Sequence, residues 1–200
     1  YEVVDVPDAE QADEFLPPYE TDNKISFDDP KNLGFSAGPD TNTEFKYKEH
    51  LGILNARKVI KECEDKFFKI FNRKYSGLIE TYKTEYADFV IVTLGTISGL
   101  VKEVVDDLRD KGQKVGLLRI RYLRPFPNEE IVEALKNVKA IGVLEKDISF
   151  GNEGTVYTNV NSALHKAKLD VVSSNYIAGL GGRNIENHQI EDIFTRLQSL

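Results

Sequence analysis

The segment GLLRIRYLRPFPNEEIVEAL, residues 116–135, indicates the fold class of this chain most clearly. It opens with an apolar run that stops abruptly, passes through a proline-containing turn and enters a helical pattern. The same order recurs in GVLEKDISFGNEGTVYTNV, residues 142–160, and the strand and turn recur in IAGLGGRN, residues 177–184. A strand followed by a turn and a helix is typical of α/β proteins, which place their binding surfaces at the ends of the strands.

Residues 88–200 carry four such strand–helix repeats. The strands are DFVIVTL (88–94), VGLLRIRYL (115–123), residues 140–144, and a run within 169–180. Continuous apolar runs of this length are typical of strands buried on both faces. They predict a three-layer α/β/α domain with a mostly parallel sheet.

Residues at the predicted helix ends agree with this interpretation. Ser98 is placed to cap the helix after the first strand, and Gly112 to end it. Asn128 is placed to cap the next helix, with Glu129 and Glu130 in its first turn, where the helix dipole favours acids.

Residues 44–87 read as a long helix, ending near Phe71, and a connector. The apolar residues of the helix recur at steps of three and four and form one stripe: Ile53, Ala56, Ile60, Cys63, Phe67 and Ile70. A long helix ahead of the sheet suits packing across a domain or subunit, but an ordinary core helix explains the stripe equally well. On this stripe, Cys63 is expected to be a core thiol rather than a reactive one.

Residues 1–43 form an acidic arm that holds five of the seven prolines. The arm has eleven acids and two bases, a net charge of −9, whereas the remaining residues have a net charge of +2. A disordered linker is one interpretation. We expect a packed arm instead, because its large apolar residues are spaced as if to dock into grooves: Phe15, Leu16, Tyr19, Phe27, Leu33 and Phe35.

The composition excludes several classes of function. No basic face with suitable aromatic residues indicates nucleic-acid binding, and no apolar run approaches the ~20 residues that cross a bilayer. The single cysteine excludes an internal disulfide and a cysteine cluster for zinc or iron–sulfur, so we expect a cytoplasmic protein. The chain begins at Tyr1 and has no methionine, which suggests a piece of a longer protein.

Four turns follow the predicted strands. The first contains glycines at the start of a helix, and the second contains an arginine. LGTISG (94–99) could hold an anion at a helix N-terminus, although it lacks a phosphate-loop spacing, and a structural turn is the simpler interpretation. In RYLRPFP (121–127), Arg124 follows a buried strand on a rigid edge. Its guanidinium suits a clamp on a carboxylate or phosphate, but a structural ion pair is the more frequent role.

The other two turns mix glycines with charged residues. EKDISFGNEG (145–154) has acids that can act as a dyad, although acids at strand ends usually bond to turn amides. AGLGGRN (178–184) fits a tight turn or an interface. No metal ligand set or catalytic residue is assigned. The candidate residues for a binding channel or interface are Arg124, Gly151, Asn152, Glu153, Gly154, Gly181, Gly182 and Arg183.

Together, RYLRPFP, EKDISFGNEG and IAGLGGRN resemble the later part of the α subunit of the 2-oxoacid:ferredoxin oxidoreductases, the pyruvate synthase group. FLPPYE, FSAGPD, EFKYKEHLGILNARKVI and RKYSGLIETY follow the same subunit in the same order, so the resemblance spans about the whole chain. The chain departs from the family pattern with Asn72 before Arg73 and with Glu145-Lys146 where Asp-Arg is usual.

The resemblance implies a domain similar to the C-terminal domain of transketolase. It also implies an enzyme that decarboxylates pyruvate to acetyl-CoA on thiamine diphosphate with Mg²⁺ and passes electrons through iron–sulfur clusters to ferredoxin. The cofactors are expected elsewhere in a complex with β, γ and δ subunits, with dimer contacts, and this chain is expected to be inactive alone. Two alternatives are a protein-binding module and a free-standing α/β domain that binds a nucleotide or coenzyme A.

Overall fold

Two helices form the regular structure of residues 1–75 in the computed structural model, which describes residues 4, 6–34 and 36–200. Helix α1 spans Ala9–Phe15 and helix α2 spans Pro39–Phe71. The chain divides into two units, residues 1–75 and 76–200. In neither helix of the first unit is any residue buried.

Helix α2 begins earlier than the sequence pattern predicts, at Pro39 rather than at residue 44. Gly38 occupies the N-cap position and Pro39 the first helical position, where the missing N–H of proline costs no hydrogen bond. The helix ends at Asn72, whose φ of 53° is in the left-handed region typical of helix ends. The first turn of α2 therefore lies within the segment assigned to the arm.

The expected packing of the arm is wrong for most of its apolar side chains. Leu16, Tyr19, Phe27 and Leu33 are exposed, and Phe35 lies outside the described residues. Phe15 does pack, with its ring centroid 5.3 Å from that of Phe67 and 5.7 Å from that of Phe71. It reaches α2 because it ends α1, a short helix that the sequence pattern did not predict and that the Asp8 carboxylate caps.

Cys63 is exposed, so the prediction of a core thiol is wrong. Helical spacing does place it on the apolar stripe of α2, but no other described segment covers the stripe at that point. Periodicity identifies the face that is apolar and not whether this chain contains what covers it.

Five strands and four α-helices make up residues 76–200. The strands are β1 (Ile79–Tyr82), β2 (Phe89–Leu94), β3 (Val115–Ile120), β4 (Ala140–Glu145) and β5 (Val172–Ile177). The helices are α3 (Ile97–Asp110), α4 (Asn128–Leu135), α5 (Thr155–Lys166) and α6 (Asn187–Gln198), and a 3₁₀ turn spans Leu180–Gly182. The sheet order is β1-β3-β2-β4-β5, with β1 antiparallel and the other strands parallel.

Helices cover both faces of this sheet. Residues of α4 and α5 pack against one face in a core that includes Val92, Leu118 and Val143. Residues of α3 and α6 pack against the other face around Ile91, Leu117 and Leu144. The predicted three-layer α/β/α fold with a mostly parallel sheet is confirmed. None of the described helices has the length and apolar character required to cross a membrane.

The predicted helix ends are only partly correct. Gly112 follows α3 with a φ of 80°, as expected. Ser98 is not the N-cap of α3, because Thr96 occupies that position and Ser98 lies inside the helix. The Ser98 hydroxyl donates to the carbonyl of Gly95 at 2.5 Å. Asn128 is the first residue of α4 rather than its cap, which is Pro127.

Strand β1 was not predicted, and side chains from other elements hold it at the sheet edge. Glu80 pairs with Lys102 of α3 and with Arg119 of β3, the latter at 3.3 Å. The Tyr82 hydroxyl donates to the Asp106 carboxylate at 2.8 Å. Hydrogen bonds from Lys83 and Tyr82 lower the pKa of Asp106 below its ordinary value, so this carboxylate stays ionised beside the strand.

Candidate functional site

A crevice opens at the carboxyl edge of the sheet, between the ends of β2 and β4. The chain leaves β2 through α3 to β3 on one side, whereas β4 lies on the other side, so the connections diverge here. Open α/β sheets bind ligands at this kind of switch point. The cavity measures about 430 Å³, and its lining includes Leu94, Thr96, Leu123, Lys146, Asp147 and Thr155.

Glu145 ends β4 beneath this crevice and is 2% exposed. Its carboxylate accepts hydrogen bonds from the backbone N–H of Val156 at 2.8 Å and of Tyr157 at 3.1 Å. It also accepts from the Asn175 side-chain amide at 2.9 Å. The carboxylate thus satisfies first-turn amides of α5 and complements the positive end of the helix dipole. The expectation that an acid here bonds to turn amides is confirmed for Glu145.

Gly154 packs directly against that carboxylate. A Cβ at this position would lie 2.0 Å from Glu145 Oε1, so only glycine fits without movement. The Gly154 N–H donates to Asn175 Oδ1 at 2.9 Å, which joins β4, β5 and the start of α5 in one network. Gly154 therefore supports the buried carboxylate.

Lys146 and Asp147 border the opening of the crevice. Asp147 accepts a hydrogen bond from the Thr155 hydroxyl at 2.6 Å, so it is also tied to the start of α5. Lys146 is exposed, and its stem passes close to the backbone of Gly179, where a Cβ would lie 3.0 Å from Lys146 Cε. Lys146 is the cation on the lining of this crevice.

Arg124 lies apart from the lining. It is exposed, its Nη1 donates to the carbonyl of Leu123 at 2.7 Å, and its guanidinium carbon lies 5.9 Å from the centroid of the Phe126 ring. The peptide bond between Arg124 and Pro125 is cis. The neighbouring Leu123 lines the crevice, so Arg124 is presented at its outer margin and not inside it.

Residues 151–153 form an exposed turn that closes on itself. The backbone N–H of Asn152 donates to the carbonyl of Ser149 at 2.8 Å. The backbone N–H of Ser149 donates to the carbonyl of Glu153 at 3.2 Å. Gly151 has a φ of 83°, which favours glycine. Of the four candidate residues at positions 151–154, only Gly154, which follows this turn, touches the Glu145 network.

The 181–183 turn lies beside Lys146. Gly182 and Arg183 line a smaller cavity of about 180 Å³ together with Lys146, Thr96 and Ile97. Arg183 is exposed. The structure therefore brings Gly182 and Arg183 next to a residue of the main crevice, whereas it leaves Arg124 and residues 151–153 outside both linings.

We expect Gly181→Val to lower stability by about 1–2 kcal/mol, because residue 181 has a φ of 63° and Cβ strains that region. No atom lies within 4 Å of the added Cβ, so the expected cause is backbone strain and not a clash at Cβ. Thermal unfolding measures the effect. Gly99→Val is the control, since Gly99 lies in α3 without positive φ or close neighbours. Equal melting temperatures for the two variants would contradict the prediction.

Sequence reasoning missed Lys146, Asn175 and Thr155. Lys146 stood out only as part of the Glu145-Lys146 departure from the family pattern. Asn175 lies on a strand, with no local pattern that marks it as a partner of Glu145. Among the described residues, no group of three or more His, Cys, Asp or Glu side chains is placed to hold a metal ion.

A larger hollow, of about 490 Å³, lies at the opposite edge of the sheet. Its lining includes Asp88, Lys114 and Val138, which precede β2, β3 and β4. Because ligands of open α/β sheets bind at the carboxyl ends of the strands, the crevice above is the better candidate for a binding site.

Comparison with known proteins shows the family to which this chain belongs. Residues 87–190 match the family described as pyruvate:ferredoxin oxidoreductase core domain II. The chain belongs to this family. The family resemblance read from the sequence motifs is thereby confirmed.

Individual relatives extend the similarity to nearly the whole chain. The chain is 37% identical over 198 residues to the pyruvate synthase subunit PorA of Methanothermobacter thermautotrophicus, covering 99% of this chain and 50% of the relative. It is 43% identical over 194 residues to the ketoisovalerate oxidoreductase subunit VorA of Pyrococcus furiosus, covering 96% and 49%. It thus spans about half the length of these relatives.

One solved structure also resembles this chain. It is a split-gene transketolase in an inactive β4 tetramer, with a TM-score of 0.49 and 18% identity. The likeness covers 64% of this chain and 44% of the other.

Proposed function

We propose that this chain is a supporting, non-catalytic part of the α subunit of a 2-oxoacid:ferredoxin oxidoreductase. The complete enzyme oxidatively decarboxylates pyruvate to acetyl-CoA and reduces ferredoxin. The family match over residues 87–190 carries the proposal, together with relatives that are subunits of pyruvate synthase and ketoisovalerate oxidoreductase.

The supporting role is favoured by the hydrogen bonds of the acids at the end of β4, which the protein itself donates. The Glu145 carboxylate is buried among amides of α5 and Asn175, and Asp147 accepts a hydrogen bond from Thr155. A general base needs a lone pair directed at substrate. Glu145 borders the crevice, but the three hydrogen bonds that its carboxylate accepts all come from the protein, which favours a structural role for the residue.

The cofactors and partners belong to the rest of the complex in this proposal. Thiamine diphosphate with Mg²⁺ and the iron–sulfur clusters are held by other domains or subunits, and β, γ and δ subunits assemble with the α subunit. The complex forms dimer contacts and acts on coenzyme A and ferredoxin. A cytoplasmic location accords with a single cysteine.

Within the complex, we assign the margin of a substrate or coenzyme A channel to the candidate turns. They comprise Arg124, residues 151–154, and Gly181, Gly182 and Arg183. Arg124 and Arg183 are both exposed, and guanidinium groups bind phosphate and carboxylate in a bidentate manner. Lys146 lies between the crevice and the 181–183 turn and adds a third cation there.

We expect Arg124→Ala in the assembled enzyme to slow turnover by roughly tenfold, which corresponds to about 1.4 kcal/mol. The melting temperature should change by less than about 2 °C, since Arg124 is exposed and its described contacts are with two residues of its own turn, the Leu123 carbonyl and the Phe126 ring. Steady-state kinetics and thermal unfolding measure both effects.

Arg109→Ala is the matched control for that variant. Arg109 donates to the carbonyls of Val115 at 2.6 Å and Glu85 at 3.1 Å, so its loss should lower stability and leave turnover of the folded enzyme unchanged. Wild-type kinetics for Arg124→Ala would remove Arg124 from the channel.

Co-purification tests the assembly role. The whole chain, and the chain lacking residues 1–43, are each expressed with β and γ subunits and recovered through a tag on this chain. We expect residues 76–200 to carry part of the association, so the shortened chain should still recover some partner. Complete loss on removing the arm would favour the alternative of a binding module built on residues 1–43.

The crevice favours a second candidate function, a domain that binds a nucleotide or coenzyme A. It lies at the switch point of the sheet and has a cation on its lining. Isothermal titration of the whole chain with coenzyme A and with ATP separates the candidates. Saturable heat from either ligand, lost in Lys146→Gln, would support this function, and flat traces from both would exclude it.

A further inference from the structure

Most of the apolar surface of α2 has no cover among the described residues of the first unit. Phe15 covers the C-terminal end of the stripe at Phe67 and Phe71, and the Gln11 amide donates to the Ile70 carbonyl at 3.3 Å. Toward the N-terminus, Ala56 and Ile60 are only half-buried and Ile53 is exposed. Helix α2 has 33 residues and no buried side chain.

The N-terminal half of α2 is apolar on more than one face. Ile53 lies toward the stripe, whereas Tyr47, Leu51 and Leu54 lie on the opposite side by helical spacing. All four are exposed. Charged residues such as Lys46 and Lys48 lie between the two apolar faces, and exposed apolar residues on two faces favour cover from more than one side. The C-terminal half differs, because the face of the helix opposite the stripe is charged there. This charged back consists of Lys58, Lys61, Asp65 and Lys69.

This pattern distinguishes between two occupants. A second copy packed helix to helix covers one face of α2 and leaves Leu51 and Leu54 in water. A surrounding domain covers both faces of the N-terminal half and only the stripe of the C-terminal half. The distribution of apolar residues fits the second arrangement.

The comparison with relatives identifies a source for such a domain. The match with the Methanothermobacter relative includes 99% of this chain but only 50% of the relative. About half of the relative therefore has no counterpart in these 200 residues. We infer that α2 is an internal helix of a domain whose remaining residues correspond to this uncovered half, and that both faces of α2 are its interface. This inference rests on the proposed function and names the partner for the assembly role.

The stability of the helix supports the same conclusion. Helices in folded proteins gain most of their stability from packing an apolar face against other elements, whereas isolated helices are marginal in water. The first unit buries none of the described residues among positions 1–75, so these residues form no core of their own. The exposed Cys63 then becomes buried on the stripe when the interface forms.

Co-expression with the uncovered half tests the inference. The whole 200-residue chain is produced together with the half of the Methanothermobacter relative that it does not match, and the complex is isolated through a tag on the relative. We expect a one-to-one complex. Amide hydrogen exchange of α2 should slow at least 100-fold in the complex relative to the chain alone, along both halves of the helix.

Three variants locate the interface. Ile60→Glu introduces a charge on the stripe, and Leu54→Glu introduces one on the opposite face of the N-terminal half. Each should weaken association at least 100-fold. Lys61→Glu, beside Ile60 on the charged back, is the control and should weaken it less than threefold.

Two results would overturn the inference. A homodimer of this chain that is broken by Ile60→Glu and unaffected by Leu54→Glu would identify a second copy as the occupant. Rapid exchange of α2 in the co-expressed sample would mean that the uncovered half does not pack on it. If α2 is protected but the reconstituted enzyme is inactive with every 2-oxoacid, the proposed function fails and the interface stands.

Discussion

Gly154→Ala should lower the free energy of unfolding by about 3 kcal/mol or more. The added Cβ would lie 2.0 Å from Glu145 Oε1 and 2.1 Å from Glu145 Cδ, so the carboxylate must leave its position. Its displacement leaves the amides of Val156 and Tyr157 and a charged group without their partners in the interior, and unsatisfied buried groups of this kind cost several kcal/mol together.

Thermal unfolding of the whole chain measures this effect. For a chain of this size, the melting temperature should fall by roughly 6–12 °C. Gly99→Ala is the control because nothing lies within 4 Å of its added Cβ and alanine favours the helix in which it lies. A melting temperature for Gly154→Ala within about 2 °C of the unsubstituted chain would contradict the role of the carboxylate network.

Glu145→Ala should show strong coupling to Gly154→Ala in a double-mutant cycle. Alone, Glu145→Ala removes the acceptor from two α5 amides and from Asn175 and should cost about 3 kcal/mol. In the double variant, the carboxylate that the new methyl group at position 154 would displace is already absent. The double variant should therefore be more stable than the sum of the two single effects by about 2 kcal/mol.

Denaturant unfolding of the four chains gives the coupling energy. Asp147→Asn is a matched control on the same segment, because Asp147 is exposed and accepts from Thr155 only among the described contacts. It should cost less than about 1.5 kcal/mol. Additive effects of Gly154→Ala and Glu145→Ala would mean that the two residues act independently and that the close approach at Gly154 is not the cause.

The fold class follows from the sequence because the central strands carry their own pattern. Residues of β2, β3 and β4 are buried on both faces, and this burial requires the continuous apolar runs that mark them. Strand β1 has no such run. Only one of its four residues, Ile79, is buried. Glu80 is held by Lys102 and Arg119 from distant parts of the chain, so the pairing of β1 depends on tertiary contacts.

The site was less predictable, for a related physical reason. The sequence shows that Glu145 follows a strand, but its burial depends on Asn175, 30 residues away, and on the space left by Gly154. Lys146 lines the smaller cavity as well as the main crevice because the 181–183 turn folds beside it. Cys63 illustrates the reverse error, since its stripe was visible in the sequence but no described segment of this chain covers it at that position.

In the proposed function, this chain supports a reaction whose catalytic groups lie elsewhere in the enzyme. The decisive experiment measures coenzyme A-dependent reduction of a viologen dye with pyruvate. The purified chain is assayed alone and after reconstitution with the complementary half of the α subunit and the β, γ and δ subunits. We expect no turnover by the chain alone, and turnover by the reconstituted enzyme that is lost when this chain is omitted. Pyruvate-dependent reduction by the chain alone, or equal activity without it, would show that the supporting role is wrong.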